Sequence, residues 1–351
     1  MISVVCFMTA ISGVSATSYD TSKINAAYSK VVEYYKNNNN LNNADKILAV
    51  ESLGLEAESN QFDTSSADLS STSLSKKIVT EVLLGVDPTE DKKTLESQID
   101  ENGNVEGSWG ASSDVWTLYA LYVTSSEKTN LIANKLNDEL AASSVCGYEW
   151  GGTYYADYDT TGWVIEGLAV VNKEKYATTI NKAIDYIKNN TTMTTTGWVT
   201  ADNVDTQSQV LEGMFAYDTN ALLNDSYTVH PVDCLLNTQL SDGSFPSGYN
   251  AEYTTAEVAK TLGTYKNGSV IIKAKKAYDK MMNPEQPDNT KPAQPTDTKK
   301  DSQSTNKVET TNQKTTSVKT GDETNVVIFV SLSMVSGGLF LVLRKEYERV
   351  H

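Results

Sequence analysis

Apolar residues recur along the chain at the three-to-four spacing of amphipathic helices, broken by short polar or glycine-bearing turns. The clearest run is DTTGWVIEGLAVV at residues 159–171. It has three echoes: SSDVWTLYALYVT at 112–124, DTQSQVLEGMFAY at 205–217 and YTTAEVAKTLGTY at 253–265. Their starts are 47, 46 and 48 residues apart. A period this long, with a helix in each unit, marks stacked helical hairpins. Each copy opens on a polar residue suited to cap a helix, with Asp159 and Asp205 at the cap position. A glycine- and aromatic-bearing turn precedes each copy: GSWG at Gly107, GYEWGG at Gly147, TGWV at Thr196 and DGSFPSG at Asp242.

The remaining pattern extends the series. Residues 22–38 carry Ile24, Tyr28, Val31 and Tyr35 at helical spacing, and 43–57 form a second helix. A serine-rich loop fills 59–71. The segment 73–88 is a helix stopped by Gly85 and Pro88, with its partner at 90–101. Then come 114–124 with 130–142, 159–171 with 174–189, 205–217 with 231–240, and 254–265 with 269–282. The sum is about twelve helices in six hairpins, with strand signals nearly absent.

The two ends differ from this body. Residues 1–16 are apolar and finish on Val14-Ser15-Ala16, the small-residue pattern of a secretory signal, although the basic start is missing; a buried helix is the alternative. Residues 284–316 are rich in Pro, Thr and Lys and almost empty of apolar side chains, so a disordered, extended stalk is expected. Residues 326–343 carry no charge and approach the length of a membrane span. Arg344 and Lys345 follow and place the far end in the cytoplasm.

Ser317-Val318-Lys319-Thr320-Gly321, an apolar helix and a basic tail follow one another at 317–351. This order resembles the Leu-Pro-x-Thr-Gly sorting signal of Gram-positive surface proteins, with Ser317 and Val318 in place of Leu and Pro. The resemblance implies sortase attack after Thr320, loss of Gly321 onwards, and attachment to peptidoglycan; a plain membrane anchor is the alternative. In residues 17–283, IVTEVLLGVDP and the Trp- or Phe-bearing turns with NTQLSDGSF resemble the prenyltransferase and squalene-cyclase repeat. The nearest likeness is to its secreted, wall-anchored bacterial members, whose toroid is related to the α-domain of cobalamin carriers. The resemblance implies an all-α fold, an α/α toroid of about six hairpins.

Candidate chemistry follows from that likeness and from the residues. Class II cyclases of the family protonate substrate with the middle Asp of Asp-x-Asp-Asp-Thr. Asp157, Asp159 and Thr161 match, and Thr160 replaces the third Asp. Asp159 is then the candidate acid with Asp157 beside it, and a helix cap is the bland reading. Protein prenyltransferases of the family bind zinc through Asp, Cys and His. His230, Asp233 and Cys234 stand within one turn, yet Pro231 after His230 fits an ordinary helix start. Glu166 and Glu212 share one repeat position, each followed by a glycine. They face either the ring's centre, as an acid/base or ligand-binding pair, or solvent. Gly167, Gly213 and Ala120 are small at the next position, which suits close helix packing. Trp150, Tyr154 and Tyr155, with other turn aromatics, either brace neighbouring hairpins or form a stacking rim. Nineteen Tyr against six Phe favour exposed aromatic contact.

The net charge of −16 argues against a nucleic-acid partner. Cys146 and Cys234 lie in different repeats and read as separate, partly buried thiols or as a pair. The expectation is a monomeric binding or adhesive module at the extracellular face of a membrane or cell wall. It needs no cofactor and displays its ring to a small molecule, a glycan or a host protein. A terpene-cyclase-like enzyme and a ligand-free structural surface protein are the alternatives.

Overall fold

The computed structural model describes residues 19–58, 62, 70–191, 203–225 and 227–283. Chain contacts divide the protein into a unit Met1–Pro284 and a unit Glu285–His351, and the second lies outside the described residues. So do residues 1–16, the stalk 284–316, Thr320, Gly321 and the apolar segment 326–343. No described helix is long and apolar enough to cross a membrane.

The described residues are mostly helical, as the 3.6-residue pattern requires. In order they form α1 (Ser22–Asn37), α2 (Ala44–Ser52), α3 (Ser71–Leu83), α4 (Thr89–Ser97), α5 (Ala111–Val123) and α6 (Thr129–Ser143). A hairpin of β1 (Gly147–Trp150) and β2 (Thr153–Ala156) follows. Then come α7 (Tyr158–Asn190), α8 (Val204–Asn224), α9 (Pro231–Leu236), α10 (Ala251–Asn267) and α11 (Val270–Met282).

Asx caps start three of the four repeated helices. Asp157 accepts from Thr160 N, Asn203 from Asp205 N and Thr206 N, and Asn250 from Tyr253 N. The cap therefore sits two residues before the expected Asp159 and Asp205, which instead lie inside the first turn. The same device restarts helices in mid-course. At Asn172 and Asp218 the backbone leaves helical geometry. Their side chains accept from Lys175 N and Ala221 N, each at 2.9 Å. The expected pair 159–171 and 174–189 is thus one α7 folded at Asn172. Past Asp218, α8 gains a short return helix where a connecting loop is expected.

Helix contacts link α2 to α3, α3 to α5, α5 to α7, α7 to α8, α8 to α10, and α10 back to α2. These helices are covered on nearly every side. Even Thr117, Gln207, Ser208, Gln209, Thr255 and Thr261 are fully buried. The outer helices bury one stripe each; α6 uses Ile132, Ala133, Leu136 and Leu140. Glycine sets the closest approach. A Cβ on Gly213 would stand 2.3 Å from the Gly162 carbonyl oxygen, and one on Gly162 would stand 2.4 Å from that of Gln209. Gly167, also expected to allow close packing, meets side chains of α5 at 3.1 Å or more.

Three elements depart from expectation. Gly151 and Gly152 both have positive φ, which closes the β1–β2 hairpin with the twist that paired strands prefer. The expectation had only a turn there. Next, α1 packs on α9 and α10. Last, α11 does not lie along α10 as its hairpin partner. It packs chiefly on α3 and α5, tied by Lys273 to Glu51 of α2 at 2.6 Å. Cys146 and Cys234 form no disulfide and are fully buried rather than partly so.

The glycine contact yields a stability test. Gly213→Ala drives a methyl into backbone that has no rotamer to yield. The expected loss is about 2 kcal/mol or more, a fall of about 4–8 °C in Tm for a domain of this size. Thermal unfolding followed by circular dichroism measures it.

Candidate functional site

Reading the four repeat copies in register, the first positions are Ser112, Asp159, Asp205 and Tyr253. The fifth are Trp116, Trp163, Gln209 and Glu257, and the eighth are Tyr119, Glu166, Glu212 and Lys260. The structure brings these positions together from α5, α7, α8 and α10 as a stacked polar cluster enclosed by helices.

In the deepest layer Glu166 and Glu212 are 3 % and 1 % exposed, so neither belongs to a solvated face. The Tyr119 hydroxyl donates to Glu166 Oε2 at 2.9 Å, and Ser269 Oγ, just before α11, donates to Glu166 Oε1 at 2.6 Å. Thr264 Oγ1 donates to Glu212 Oε1 at 3.3 Å. Lys260, itself 3 % exposed, holds its ammonium 2.9 Å from Glu257 Oε2 and 3.8 Å from Glu212 Oε2. Its charge is firmly retained, because Glu257 and Glu212 outweigh the cost of its burial.

In the middle layer Gln209 Nε2 donates to Glu257 Oε2 at 3.2 Å. The Trp116 and Trp163 rings meet edge to face at 5.9 Å. Two ammonium groups lie over Trp116, Lys76 at 4.5 Å and Lys260 at 5.5 Å. Lys76 is paired with Asp45 of α2 at 2.9 Å.

The layer nearest the helix starts is acidic. Asp157 and Asp159 are partly exposed and Asp205 is buried. Asp205 accepts from the Tyr249 hydroxyl. Burial raises the Asp205 carboxyl to about 6. Burial, and then the charge of Asp157, also push Asp159 well above the carboxylate range, against a hydrogen bond from Thr206. Asp157 is raised too, by burial. Deeper in, burial raises both Glu166 and Glu212 against the pull of Lys260.

The other candidates lie elsewhere. Trp150, Tyr154 and Tyr155 are exposed on the β1–β2 hairpin, with Trp150 edge-on to Trp109 at 5.9 Å. Tyr155 stacks on Tyr148, and Tyr154 donates to Glu139 at 2.9 Å. They do not join the carboxylates of the cluster. His230 caps α9, its Nδ1 accepting from Val232 N at 3.2 Å, between the rings of Tyr19 and Tyr227. Asp233 accepts from the Tyr19 hydroxyl and from Lys23. The Cys234 side chain is buried. The three residues serve separate structural contacts, and among the described residues no group of His, Cys, Asp and Glu is arranged to hold a metal.

Lys260, Glu257, Gln209, Trp163 and Trp116 were not singled out by sequence. Their signal was the repeat register itself. Lys260 occupies the position of Glu166 and Glu212 in the fourth copy, a complement rather than a likeness.

Two tests follow. The raised carboxyls bind protons in the folded state that the unfolded chain, with carboxyl values near about 4, has released. The native state therefore holds more protons across the window from about pH 4 to beyond about pH 6, and stability falls as pH rises through it. His230, lowered by burial, acts with opposite sign below about pH 6.5 but is one group against several carboxyls, and the lowered carboxyls of Asp45 and Asp233 do so only below about pH 4. Tm is thus expected to be higher at about pH 5 than at about pH 8. Secondly, Lys260→Met strands Glu212 and Glu257 in the interior and is expected to cost about 3–5 kcal/mol. Removing the exposed partner of Asp233 with Lys23→Met is expected to cost less than about 1 kcal/mol. Urea unfolding compares the two.

No family model, curated protein or solved structure matches the chain.

Proposed function

We propose that the chain is a surface-displayed binding module. Its helical unit is an α/α toroid of the prenyltransferase and squalene-cyclase kind, held by its C-terminus at the outer face of a membrane or cell wall. The polar cluster at the start of α7, α8 and α10 takes a small polar ligand. The cyclic order of helix contacts supports the toroid. The Thr320-Gly321 segment, the uncharged run 326–343 and the basic tail support the anchor.

One observation carries the binding reading. Trp163 Nε1, Gln209 Oε1 and Glu257 Oε1 are buried within the cluster and have no hydrogen-bond partner. A buried polar atom left unpaired costs about 1–3 kcal/mol, so a ligand that pairs with these atoms recovers that cost as affinity. A cluster built only for stability would close its own hydrogen bonds, as the Tyr119–Glu166–Ser269 group does.

A second reading is favoured by one feature, the proton that burial and Asp157 hold on Asp159 at the cluster's accessible end. A carboxyl kept protonated near neutral pH is an acid catalyst in waiting. Under this reading the chain is a terpene-cyclase-like enzyme.

Native mass spectrometry of the full chain, purified from its own host, separates the two. Binding predicts a retained small molecule that leaves on unfolding. An unloaded mass, together with a cyclic product from squalene that vanishes in Asp159→Asn, would transfer the cluster to the enzyme reading.

A further inference from the structure

We infer that the ligand of the polar cluster is a small hydroxyl-bearing amine, such as an amino alcohol or amino sugar. Its ammonium would be seated against Glu257 and Gln209 beneath the Asp159–Asp205 rim. The inference rests on the proposed binding reading and adds the ligand's chemistry.

The charge balance inside the cluster points to a cation. Asp159, Asp205, Glu166, Glu212 and Glu257 converge from three helices, and one lysine of these helices, Lys260, lies among them. Lys76 is already matched by Asp45. The carboxyl groups thus outnumber the ammonium groups that answer them. Burial holds protons on several of them, and a ligand ammonium would take the place of such a proton, whereas an anion would find no positive partner there.

The unpaired atoms specify the kind of cation. Glu257 Oε1 and Gln209 Oε1 are acceptors in want of donors. The Gln209 amide cannot be turned to relieve this, because its nitrogen already faces Glu257 Oε2 at 3.2 Å and its oxygen would then meet a carboxylate. A primary ammonium offers three donors and no acceptor, so it can serve both oxygens and a rim carboxylate at once. The protein's own side chains show the pattern: Lys260 sets an ammonium against Glu257 with the Trp116 face beside it. The neighbouring Trp163 and the Tyr249 and Tyr253 rings, 6.2 Å apart, supply aromatic surface for a second cation of the same kind.

Trp163 Nε1 adds the last requirement. It is a donor, 8 % exposed and without a partner, so an ammonium cannot satisfy it. A hydroxyl or ring oxygen on the same ligand can. A bare metal ion fits poorly, since among the described residues no metal-holding group of side chains is present.

The test is calorimetric titration of the full chain with glucosamine, ethanolamine and methylamine, and with glucose and ethylene glycol as neutral counterparts. Glucosamine or ethanolamine is expected to bind with a Kd of about 1 mM or tighter, with each neutral counterpart at least about tenfold weaker. Asp159→Asn, at a partly exposed position, is expected to weaken the amines about tenfold while the helical circular dichroism is unchanged. Trp163→Phe keeps the ring and removes the N–H, so it is expected to weaken the hydroxylated amines and leave methylamine unaltered. Glucose binding as tightly as glucosamine, no binding of any amine, or amine binding indifferent to both substitutions would overturn the inference. If native mass spectrometry then finds a retained molecule without an amine, the binding reading stands and only the ligand class falls. If it finds nothing and no amine binds in the titration, both fall.

Discussion

The interaction on which the interior turns is the ammonium of Lys260, set between Glu257 and Glu212 with almost no solvent. Each of α7, α8 and α10 carries ionisable side chains into a place where water cannot screen them. Such groups are tolerable only when neighbours from other helices supply the opposite charge or a hydrogen bond. Glu257 meets Lys260 within α10, but the other partners cross between helices. Glu166 of α7 is held by Tyr119 of α5 and by Ser269 beside α11, and Gln209 of α8 bonds Glu257 of α10. The copies can therefore satisfy one another only when assembled, and the polar cluster fixes their order as firmly as the apolar contacts do.

The backbone must come close for this to work. Gly162 and Gly213 bring α7 and α8 within the reach of short side chains, and Gly263 does the same for α10 against Ser52 of α2. A larger residue at any of these points would separate the helices and lengthen the contacts across the cluster. The repeated glycine after Glu166 and Glu212 looks like one device but is two. Gly213 meets backbone, while Gly167 meets the side chains of Leu118, Tyr119 and Val115.

The helical period was legible because it depends on burial alone, and burial is written directly as apolar spacing. Cap positions were misplaced by two residues. Asp157 and Asp159 are both good capping residues, and only backbone geometry decides between them. The β1–β2 hairpin was hidden because each strand of GYEWGGTYYA is four residues long, too short to stand out from an aromatic turn. The path of α11 was illegible for another reason. Its apolar stripe of Val270, Ile271, Ala274 and Tyr278 records that one face is covered, not which helices cover it. Glu166 and Glu212 were found by likeness between copies, whereas Lys260 and Glu257 break that likeness. Charge balance in this interior rests where the copies diverge, because a symmetric set of carboxylates could not neutralise itself.

The placement of charge along the cluster also has a direction. Inner helices begin at the acidic rim, and each helix start carries the equivalent of roughly half a positive charge. Asp157, Asp159 and Asp205 stand in or beside those first turns, so much of their field is spent on the helix ends. Glu257 lies a full turn deeper, where Lys260 and Gln209 answer its Oε2 and its Oε1 is left without a donor. At the other end of the cluster, Ser269 satisfies Glu166 and α11 crosses to α3 and α5, tied to Glu51. Among the described residues Asp157 and Asp159 at the shallow end are partly exposed, so solvent reaches the cluster there.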